Sequence, residues 1–295
     1  MPKPINGVLL LNKPVGITSN AALQKAKWLL NARKAGHTGT LDPFADGLLP
    51  LCFGEATKFS AYLLDADKHY RAVLQLGVTT TTGDPEGEIL ATREVDTSRA
   101  EIEALLPRFK GEIEQIPPMH SALKHQGRPL YEYARAGIEI ERPPRRVQIR
   151  ALELIECAPP RVVLDVQCSA GTYVRTLAQD IGAALGCGAH LTALTRTAAG
   201  GFRLDQAHTL AELEALDAPL RPTLLLPADC LMAHLPAIQL DAADAGALCQ
   251  GRSVAHATDH QGLARIYAAP HTFIGLADAD AGRLLPRRLI ATQRA

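Results

Sequence analysis

Two separate segments of this chain alternate apolar and polar residues with a period of two, at residues 68–78 and 162–168. This alternation is typical of strands that bury one face against a core. A continuous apolar run at residues 6–12 indicates a further, fully buried strand. Residues 21–34 and 174–185 instead repeat apolar residues at helical spacing. The mixture of both periods predicts an α+β domain.

The composition changes near residue 205 towards Ala, Leu and Asp. Beyond this point the patterns predict helices at 210–217 and 241–250, then short β pieces at 263–267, 272–278 and 283–290. For a chain of 295 residues, one large domain and one small module is a reasonable division. We expect a catalytic domain at 1–235 and a small, mostly β module at 240–295.

Residues 115–145 differ from the rest of the large domain. They contain five prolines, many cations and one short helical patch, Tyr131–Gly137. A long segment of this composition is usually functional rather than part of a core. We therefore interpret 115–145 as an insertion that contacts a ligand.

Several classes of protein are disfavoured. No apolar run reaches the roughly 18 residues that cross a bilayer, and the N-terminal segment has no signal-peptide cleavage pattern. The six cysteines contain no Cys-x-x-Cys pair, and no His or Cys cluster has metal-ligand spacing. We expect reduced thiols, no metal, no membrane association and a cytoplasmic location.

Lysine plus arginine and aspartate plus glutamate are equal in number, 31 of each, but they are segregated. Residues 1–41 contain six basic residues and no acid, and residues 120–150 contain seven basic residues and three acids. Residues 281–295 contain four arginines, the last of them Arg294, and no acid, whereas residues 204–251 contain seven acids and one arginine. This distribution suggests a basic face that binds phosphates, although solvated helix faces would explain it equally well.

The glycine-rich segment 36–49 carries the first carboxylate of the chain, Asp42. Three glycines in twelve positions allow tight turns and a close approach to a ligand. Pro43 disfavours helical dihedral angles at Asp42 and stiffens the loop. Asp42 is thus a candidate catalytic carboxylate beside His37, although an Asp-Pro turn alone is the commoner explanation. Asp46-Gly47 is interpreted as a plain turn.

Two further positions could belong to the same site. Arg175 falls in the first turn of the helix at 174–185, where a cation opposes the helix dipole and favours an acidic partner. Asp42 is a candidate partner through an arginine–carboxylate fork, and solvent exposure of Arg175 is the alternative. Tyr70 lies on the apolar side of its strand, where it either packs in the core or stacks on a base.

Together these motifs and their neighbours resemble one family over residues 5–205, in the same order along the chain. The resemblance is to the TruB family of tRNA pseudouridine synthases. The segments that carry it are NGVLLLNKPVGITSN (6–20), AGHTGTLDPFADGLLPLCFGEATK (35–58), KHYRAVLQLGVTTTTGDPEG (68–87), QIPPMHSALKHQGRPLYEYARAG (115–137), GTYVRTLAQDIGAALG (171–186) and AHLTALTRTAAGGF (189–202). Two departures stand out. Thr81-Thr82-Gly83 stands where an acidic residue is common, and Thr195 precedes Arg196 where two arginines are usual, which could weaken one phosphate contact.

The resemblance implies a pseudouridine-synthase fold, with a central mixed or antiparallel sheet flanked by helices, and a PUA-like RNA-binding module at 240–295. It implies isomerisation of uridine 55 in the TψC loop of tRNA by base flipping, without a cofactor or metal, in a monomeric protein. Asp42, Tyr70 and Arg175 match the catalytic residues. His37, Tyr173, Leu194 and Lys13 match substrate-binding positions. The predicted RNA clamp of the insertion and its flank consists of Lys124, Arg128, Arg142, Arg145 and Arg146.

Two other functions remain open at this point. A non-catalytic tRNA-binding or RNA-folding protein would explain the basic segments but not the combination of Asp42 and Arg175. A nucleoside glycosidase would use two carboxylates at a set separation, and the sequence indicates one.

Overall fold

A computed structural model describes residues 4–268 and 271–290 of the chain. Arg294 and the other residues after 290 in the predicted C-terminal module lie outside the described residues. None of the helices in the described part is long and apolar enough to cross a membrane.

The strands of the described residues range from two residues to fourteen, the longest being β10. They are β1 (Gly7–Lys13), β2 (Ala35–His37), β3 (Asp46–Phe53), β4 (Lys68–Leu76), β5 (Val78–Thr80), β6 (Ile89–Thr92), β7 (Gly111–Gln115), β8 (Lys124–His125), β9 (Arg128–Pro129), β10 (Arg145–Ala158), β11 (Arg161–Cys168), β12 (Ala189–Ala199), β13 (Phe202–Arg203), β14 (His208–Thr209), β15 (Ala237–Leu240), β16 (Val254–Ala255), β17 (Gly262–Ala268), β18 (Thr272–Asp280) and β19 (Arg283–Leu289).

The α-helices are similarly modest in length. They are α1 (Ser19–Leu29), α2 (Ala61–Leu64), α3 (Arg99–Leu105), α4 (Leu130–Arg135), α5 (Val174–Ala184), α6 (Leu210–Ala215) and α7 (Ala242–Cys249). Single 3₁₀ turns lie at Gly54–Phe59, Leu106–Phe109, Leu204–Gln206, Arg221–Leu224 and Ala228–Met232.

The large domain is organised around one mixed sheet. Its strand order is β14-β1-β3-β12-β4-β11-β10-β7, with β2 beside β3 and β13 beside β12. Strands β1 and β14 are parallel, as are β3 and β12, and the other pairs are antiparallel. Helices α1 and α5 contribute buried residues to the same core as β1, β4 and β11. The α+β fold with a mixed sheet and helices is confirmed.

The elements with strong local signals form where the sequence predicts them. In β4, Ala72, Leu74 and Leu76 are buried, as the alternation requires. The Thr18 side chain accepts a hydrogen bond from the Ala21 amide and caps α1. Gly186 adopts a positive φ of 80° just after α5, a conformation that commonly ends a helix.

The prediction of a plain turn at Asp46-Gly47 is wrong, because these residues begin β3. Gly47 has a φ of 98°, and a Cβ there would lie 2.4 Å from the Arg196 carbonyl oxygen. Strand β12 pairs with β3 at this point. The glycine is therefore required by a close approach between strands that are distant in sequence, which no local pattern reveals.

A second, five-stranded sheet begins at Ala237 and has the order β15-β17-β18-β19-β16. One apolar cluster joins it to the back of the large sheet, where the Phe59 and Phe273 ring centroids are 5.5 Å apart. The Lys58 ammonium also donates to the Leu289 carbonyl at 2.9 Å. The C-terminal β module is thus packed directly on the large domain.

Candidate active site

A cleft of about 350 Å³ opens beside the glycine-rich loop. This volume is within the range of small-ligand pockets. Its walls come from the loop at 39–42, from β4, from residues 121–123 of the insertion, from the start of α5 and from β12. Asp42, Tyr70, Tyr173, Arg175 and Leu194 all line it. Five predicted site residues from four separate parts of the sequence are therefore brought together.

The loop that carries Asp42 is held from several sides. The buried Ser19 hydroxyl donates to the Leu41 carbonyl at 2.8 Å and accepts from the Leu41 amide at 2.7 Å. On the other side of Asp42, the Gly16 amide donates to the Pro43 carbonyl at 2.8 Å. Because these bonds flank Asp42, the backbone leaves its carboxylate little freedom to move.

Arg175 lies between two carboxylates. Its Nε is 3.1 Å from Oδ2 of Asp42, and its Nη1 is 3.0 Å from Oδ2 of Asp84. The predicted pairing with Asp42 is confirmed, but the guanidinium pairs with both aspartates and does not form a two-bond fork with Asp42 alone. Its Nη1 and Nη2 also donate to the Thr82 and His120 carbonyls at 3.2 and 2.7 Å. This cation, which is only 5% exposed, thus has two carboxylate and two carbonyl partners.

The two aspartates differ in their access to the cleft. The Asp42 side chain is 35% exposed and lines the cleft, whereas that of Asp84 is 3% exposed and does not. Asp84 also accepts from the Glu86 amide at 3.0 Å. Asp42 is therefore the carboxylate that a ligand could meet, and Asp84 acts on it through Arg175.

Burial raises the pKa of the Asp42 carboxyl above its ordinary value, the Arg175 guanidinium opposes this shift, and the Asp84 charge adds to it. The net direction is upward. Pairing with Arg175 therefore offsets the effect of burial on the pKa of Asp42 only in part.

The sequence analysis did not identify Asp84 as part of the site. One signal was available, since Gly83-Asp84-Pro85 repeats the aspartate–proline pattern of Asp42-Pro43. The pairing itself joins positions that are 91 residues apart. No local pattern predicts such a contact.

Tyr70, Leu194 and Tyr173 form the less polar walls of the cleft. Burial raises the pKa of the phenols of Tyr70 and Tyr173, so both are neutral at ordinary pH. The Gln115 side chain holds the Tyr173 backbone by accepting from its amide at 3.0 Å and donating to its carbonyl at 3.2 Å. The strand that ends in the insertion thus also positions the start of α5.

Two buried basic residues lie close to the site. Arg196 is 1% exposed and lines the cleft, so this arginine faces inward rather than towards a phosphate at the surface. Lys13 has no exposed surface and donates to the Pro14 and Ile17 carbonyls, both at 2.8 Å. Burial lowers the pKa of Lys13 to about 8. Lys13 therefore ties together the backbone of residues 14–17. Its charge also favours the ionised form of Asp42.

His37 ends β2 and is not among the residues that line the cleft. Burial, and secondarily the charge of Arg196, lower the pKa of its imidazole. The neutral ring lies just before the loop that leads to Asp42.

The basic residues of the predicted clamp lie along the insertion and the start of β10. Arg128 pairs with Glu132 at 2.9 Å, and Arg142 pairs with Glu139 at 3.4 Å. Arg146 lies 3.3 Å from Glu112. The Arg128 and Arg146 side chains are exposed, and ion pairs at a surface contribute little to stability. Lys124 and Arg145 are exposed, and the charge of Arg145 acts on the Tyr173 phenol at the cleft.

Solved structures share the fold of this chain. A structure described as a Cbf5-Nop10-Gar1 complex matches with a TM-score of 0.71 and 30% identity, covering 93% of this chain and 78% of that one. An H/ACA RNP bound to a substrate RNA containing 2'-deoxyuridine matches with a TM-score of 0.73 and 24% identity, covering 99% of this chain and 87% of that one. The second likeness shows the fold alone.

Family models and close relatives define the family. Residues 27–174 match the N-terminal domain of the TruB family pseudouridylate synthases, 175–233 match the C-terminal domain of tRNA pseudouridylate synthase B, and 236–290 match the TruB C-terminal region of pseudouridine synthase II. The tRNA pseudouridine synthase B of Thiobacillus denitrificans is 77% identical, over 99% of this chain and 98% of the relative. That of Chromobacterium violaceum is 58% identical, over 98% and 96%. This chain belongs to the TruB family of pseudouridine synthases.

Proposed function

We propose that this protein converts uridine 55 in the TψC loop of tRNA to pseudouridine. The observation that carries the proposal is the Asp42 carboxylate, paired with the buried Arg175 guanidinium at 3.1 Å, on a cleft lined by Tyr70, Tyr173 and Leu194. The relatives named tRNA pseudouridine synthase B support tRNA as the substrate. An enzyme that modifies tRNA in a bacterium would work in the cytoplasm.

The reaction needs one positioned carboxylate and a site that retains the base. The bond between uracil N1 and C1′ breaks, the uracil turns, and a bond forms between C5 and C1′. The proton lost from C5 is balanced by one gained at N1, so the isomerisation involves no net redox change. Ionised Asp42 would act as a nucleophile or stabilise an oxocarbenium-like centre at C1′.

Arg175 would keep that carboxylate aimed at the sugar. Because the guanidinium is fixed by Asp84 and by two backbone carbonyls, it cannot follow Asp42 if the loop moves. Fixed donors of this kind stabilise charge without reorganisation during the reaction. The raised pKa of Asp42 fits a carboxylate that reacts in a partly water-excluded site.

A uridine in a folded loop must leave its stack to reach this cleft, at a cost of a few kcal/mol. Stacking on an aromatic ring can offset roughly 1–3 kcal/mol. Tyr70 would stack on the flipped base and take part in proton removal, while Tyr173 and Leu194 would enclose the edges of the base. His37 would contact the RNA next to the flipped nucleotide.

The insertion would hold the TψC arm over the cleft. Residues 121–123 already form part of the wall, and the His120 carbonyl binds Arg175. The basic residues of the insertion, together with the C-terminal β module, would contact the phosphate backbone. A clamp that touches the catalytic arginine couples RNA binding to the chemistry.

The test is release of tritium from C5 of uridine in a tRNA transcript, with wild type and Asp42→Asn compared at equal occupancy. We expect release from wild type, no release from the variant, and unchanged tRNA binding. A transcript with cytidine in place of uridine 55 serves as the site control. Turnover by Asp42→Asn at the wild-type rate would refute the assignment, and a wild type that binds without release would support the binding-protein alternative.

The structure bears on the glycosidase alternative, because it reveals a second carboxylate. Asp84 is 3% exposed and does not line the cleft, so it is poorly placed to protonate a leaving group or activate water. Free uracil among the reaction products would favour that alternative.

A further inference from the structure

Arg196 is a buried cation without an acidic partner among the described residues. Its relative exposure is 1%, and none of the described carboxylates lies within 4.0 Å of it. The other buried arginine of the site, Arg175, has two such partners. Burying an uncompensated charge is costly, and proteins retain one where it has a function or enough hydrogen-bond acceptors.

The guanidinium of Arg196 holds both ends of the catalytic loop. Its Nε donates to the Leu48 carbonyl at 2.6 Å, and its Nη2 donates to the Gly39 carbonyl at 3.2 Å. These two carbonyls lie on either side of Asp42 in the sequence. One planar side chain therefore fixes the separation of the two loop ends, which a flexible ammonium could not do equally well.

The same guanidinium faces the Tyr70 phenol. Arg196 on β12 is directly opposite Tyr70 on β4 in the strand register, so the two side chains share one face of the sheet as nearest neighbours. Both line the cleft. The charge of Arg196 and its polar interaction with the phenol favour a negative phenol oxygen, against the effect of burial.

We infer that Arg196 is a positioning residue for the reaction, which holds the Tyr70 phenol oxygen and the Asp42 loop in one fixed arrangement. Its unbalanced charge also stabilises negative charge on that oxygen when the phenol shares or gives up its proton. The inference rests on the proposed function in so far as Tyr70 takes part in the reaction. The contact between Arg196 and Tyr70 can be tested without that assumption.

The test compares Arg196→Gln and Arg196→Lys with wild type, and uses Arg71→Gln as the matched control. Arg71 neighbours Tyr70 on β4, but its exposed guanidinium pairs with Asp165 at 2.9 Å. Three quantities are measured: the single-turnover rate of tritium release at saturating enzyme, tRNA affinity, and the NMR signals of tyrosine labelled with ¹³C at Cζ. The chain has six tyrosines, and the signal missing from Tyr70→Phe identifies Tyr70.

We expect Arg196→Gln to move the Tyr70 signal alone and to slow the single-turnover rate roughly 100-fold, as misplacement by about 1 Å can do. Its tRNA affinity should stay within about threefold of wild type, because Arg196 does not reach the surface. Arg196→Lys keeps the charge but loses the planar guanidinium that bonds two carbonyls at once. It should therefore slow the single-turnover rate roughly tenfold and move the Tyr70 signal less than Arg196→Gln does. Arg71→Gln should leave all three quantities unchanged.

An unmoved Tyr70 signal in a folded Arg196→Gln protein would overturn the inference, as would rate and affinity falling by the same factor. If Arg196→Gln does not fold, Arg196→Lys decides, and an unchanged signal and rate in that variant would overturn the inference. Failure of the proposed function would look different: Asp42→Asn would remain active while the Tyr70 signal still responded to Arg196.

Discussion

The substitution Asp84→Asn tests the idea that a carboxylate outside the cleft sets the chemistry inside it. Asp84 and Arg175 are 3% and 5% exposed, with 3.0 Å between the charged atoms. Asparagine keeps the shape of the side chain and one acceptor oxygen but removes the charge. The variant therefore isolates the electrostatic part of the interaction.

The size of the effect follows from the geometry. At 3.0 Å and an effective dielectric constant of about 20, the attraction has an upper bound of roughly 5.5 kcal/mol. Removing one partner from a buried pair typically costs about 3–5 kcal/mol. Because Arg175 keeps its bonds to Thr82 and His120, and the Asn oxygen can still accept, we expect the lower end of that range. A loss of roughly 3 kcal/mol from transition-state stabilisation corresponds to a rate decrease of about 160-fold.

The pH profile gives a second, independent result. The Asp84 charge raises the pKa of Asp42, so its removal should lower that pKa. The reaction needs ionised Asp42, and activity is lost as pH falls through its pKa. The acid limb of the single-turnover profile should therefore move to lower pH in Asp84→Asn, even though the rate on the plateau is lower.

Single-turnover tritium release between pH 5 and pH 8 measures both effects, and Asp165→Asn is the matched control. Asp165 forms an equally short pair with Arg71, at 2.9 Å, but both side chains are exposed, so its loss should change stability by less than about 1 kcal/mol and leave the rate unchanged. A rate loss in Asp84→Asn below about threefold, or an acid limb displaced to higher pH, would refute the reasoning.

Four further predictions follow from the same contacts. Asp42→Asn should raise the thermal midpoint at neutral pH, because a carboxyl with a raised pKa destabilises the fold once ionised, and the gain should disappear in acid, where Asp42 is protonated. The lowered pKa of Lys13, about 8, means that the folded state binds fewer protons than the unfolded state, so wild type should gain stability over Lys13→Met as pH rises from 8 towards 10, measured by urea unfolding. Gly47→Ala should cost on the order of 3 kcal/mol in unfolding free energy, because of its φ of 98° and the contact with the β12 backbone. Replacing Arg145 and Arg146 with Gln should reduce the slope of log Kd against log salt for tRNA by about 0.7–0.9 per lost phosphate contact.

Each of these has an outcome that contradicts it. The first would be contradicted if the thermal midpoint of Asp42→Asn at neutral pH were equal to or below that of wild type, and the second if the stability of Lys13→Met and wild type changed in parallel with pH. The third would be contradicted by a Gly47→Ala protein as stable as wild type. The fourth would be contradicted by an unchanged slope of log Kd against log salt. For the last, Arg161→Gln is a suitable control, since Arg161 pairs with Glu156 on a different part of β10 and β11.

Local chemistry made much of the framework predictable from the sequence. The alternation in β4 and β11, the cap of α1 and the glycine after α5 are each decided by residues within a few positions of one another. The Asp42 loop could also be identified, because its closely spaced glycines and the Asp42-Pro43 step are visible in the sequence. The resemblance to a family then indicated which of these residues face the cleft.

Only the tertiary structure decided which charges meet. Strand β12 lies between β3 and β4, which places Arg196 opposite Tyr70 and requires a glycine at position 47. The packing of α5 places Arg175 between Asp42 and Asp84. The docking of the C-terminal β module through Phe59 and Phe273 is of the same kind. Local propensity acts over a few residues, whereas these contacts join positions 91 or more residues apart, and the burial of the whole core selects them.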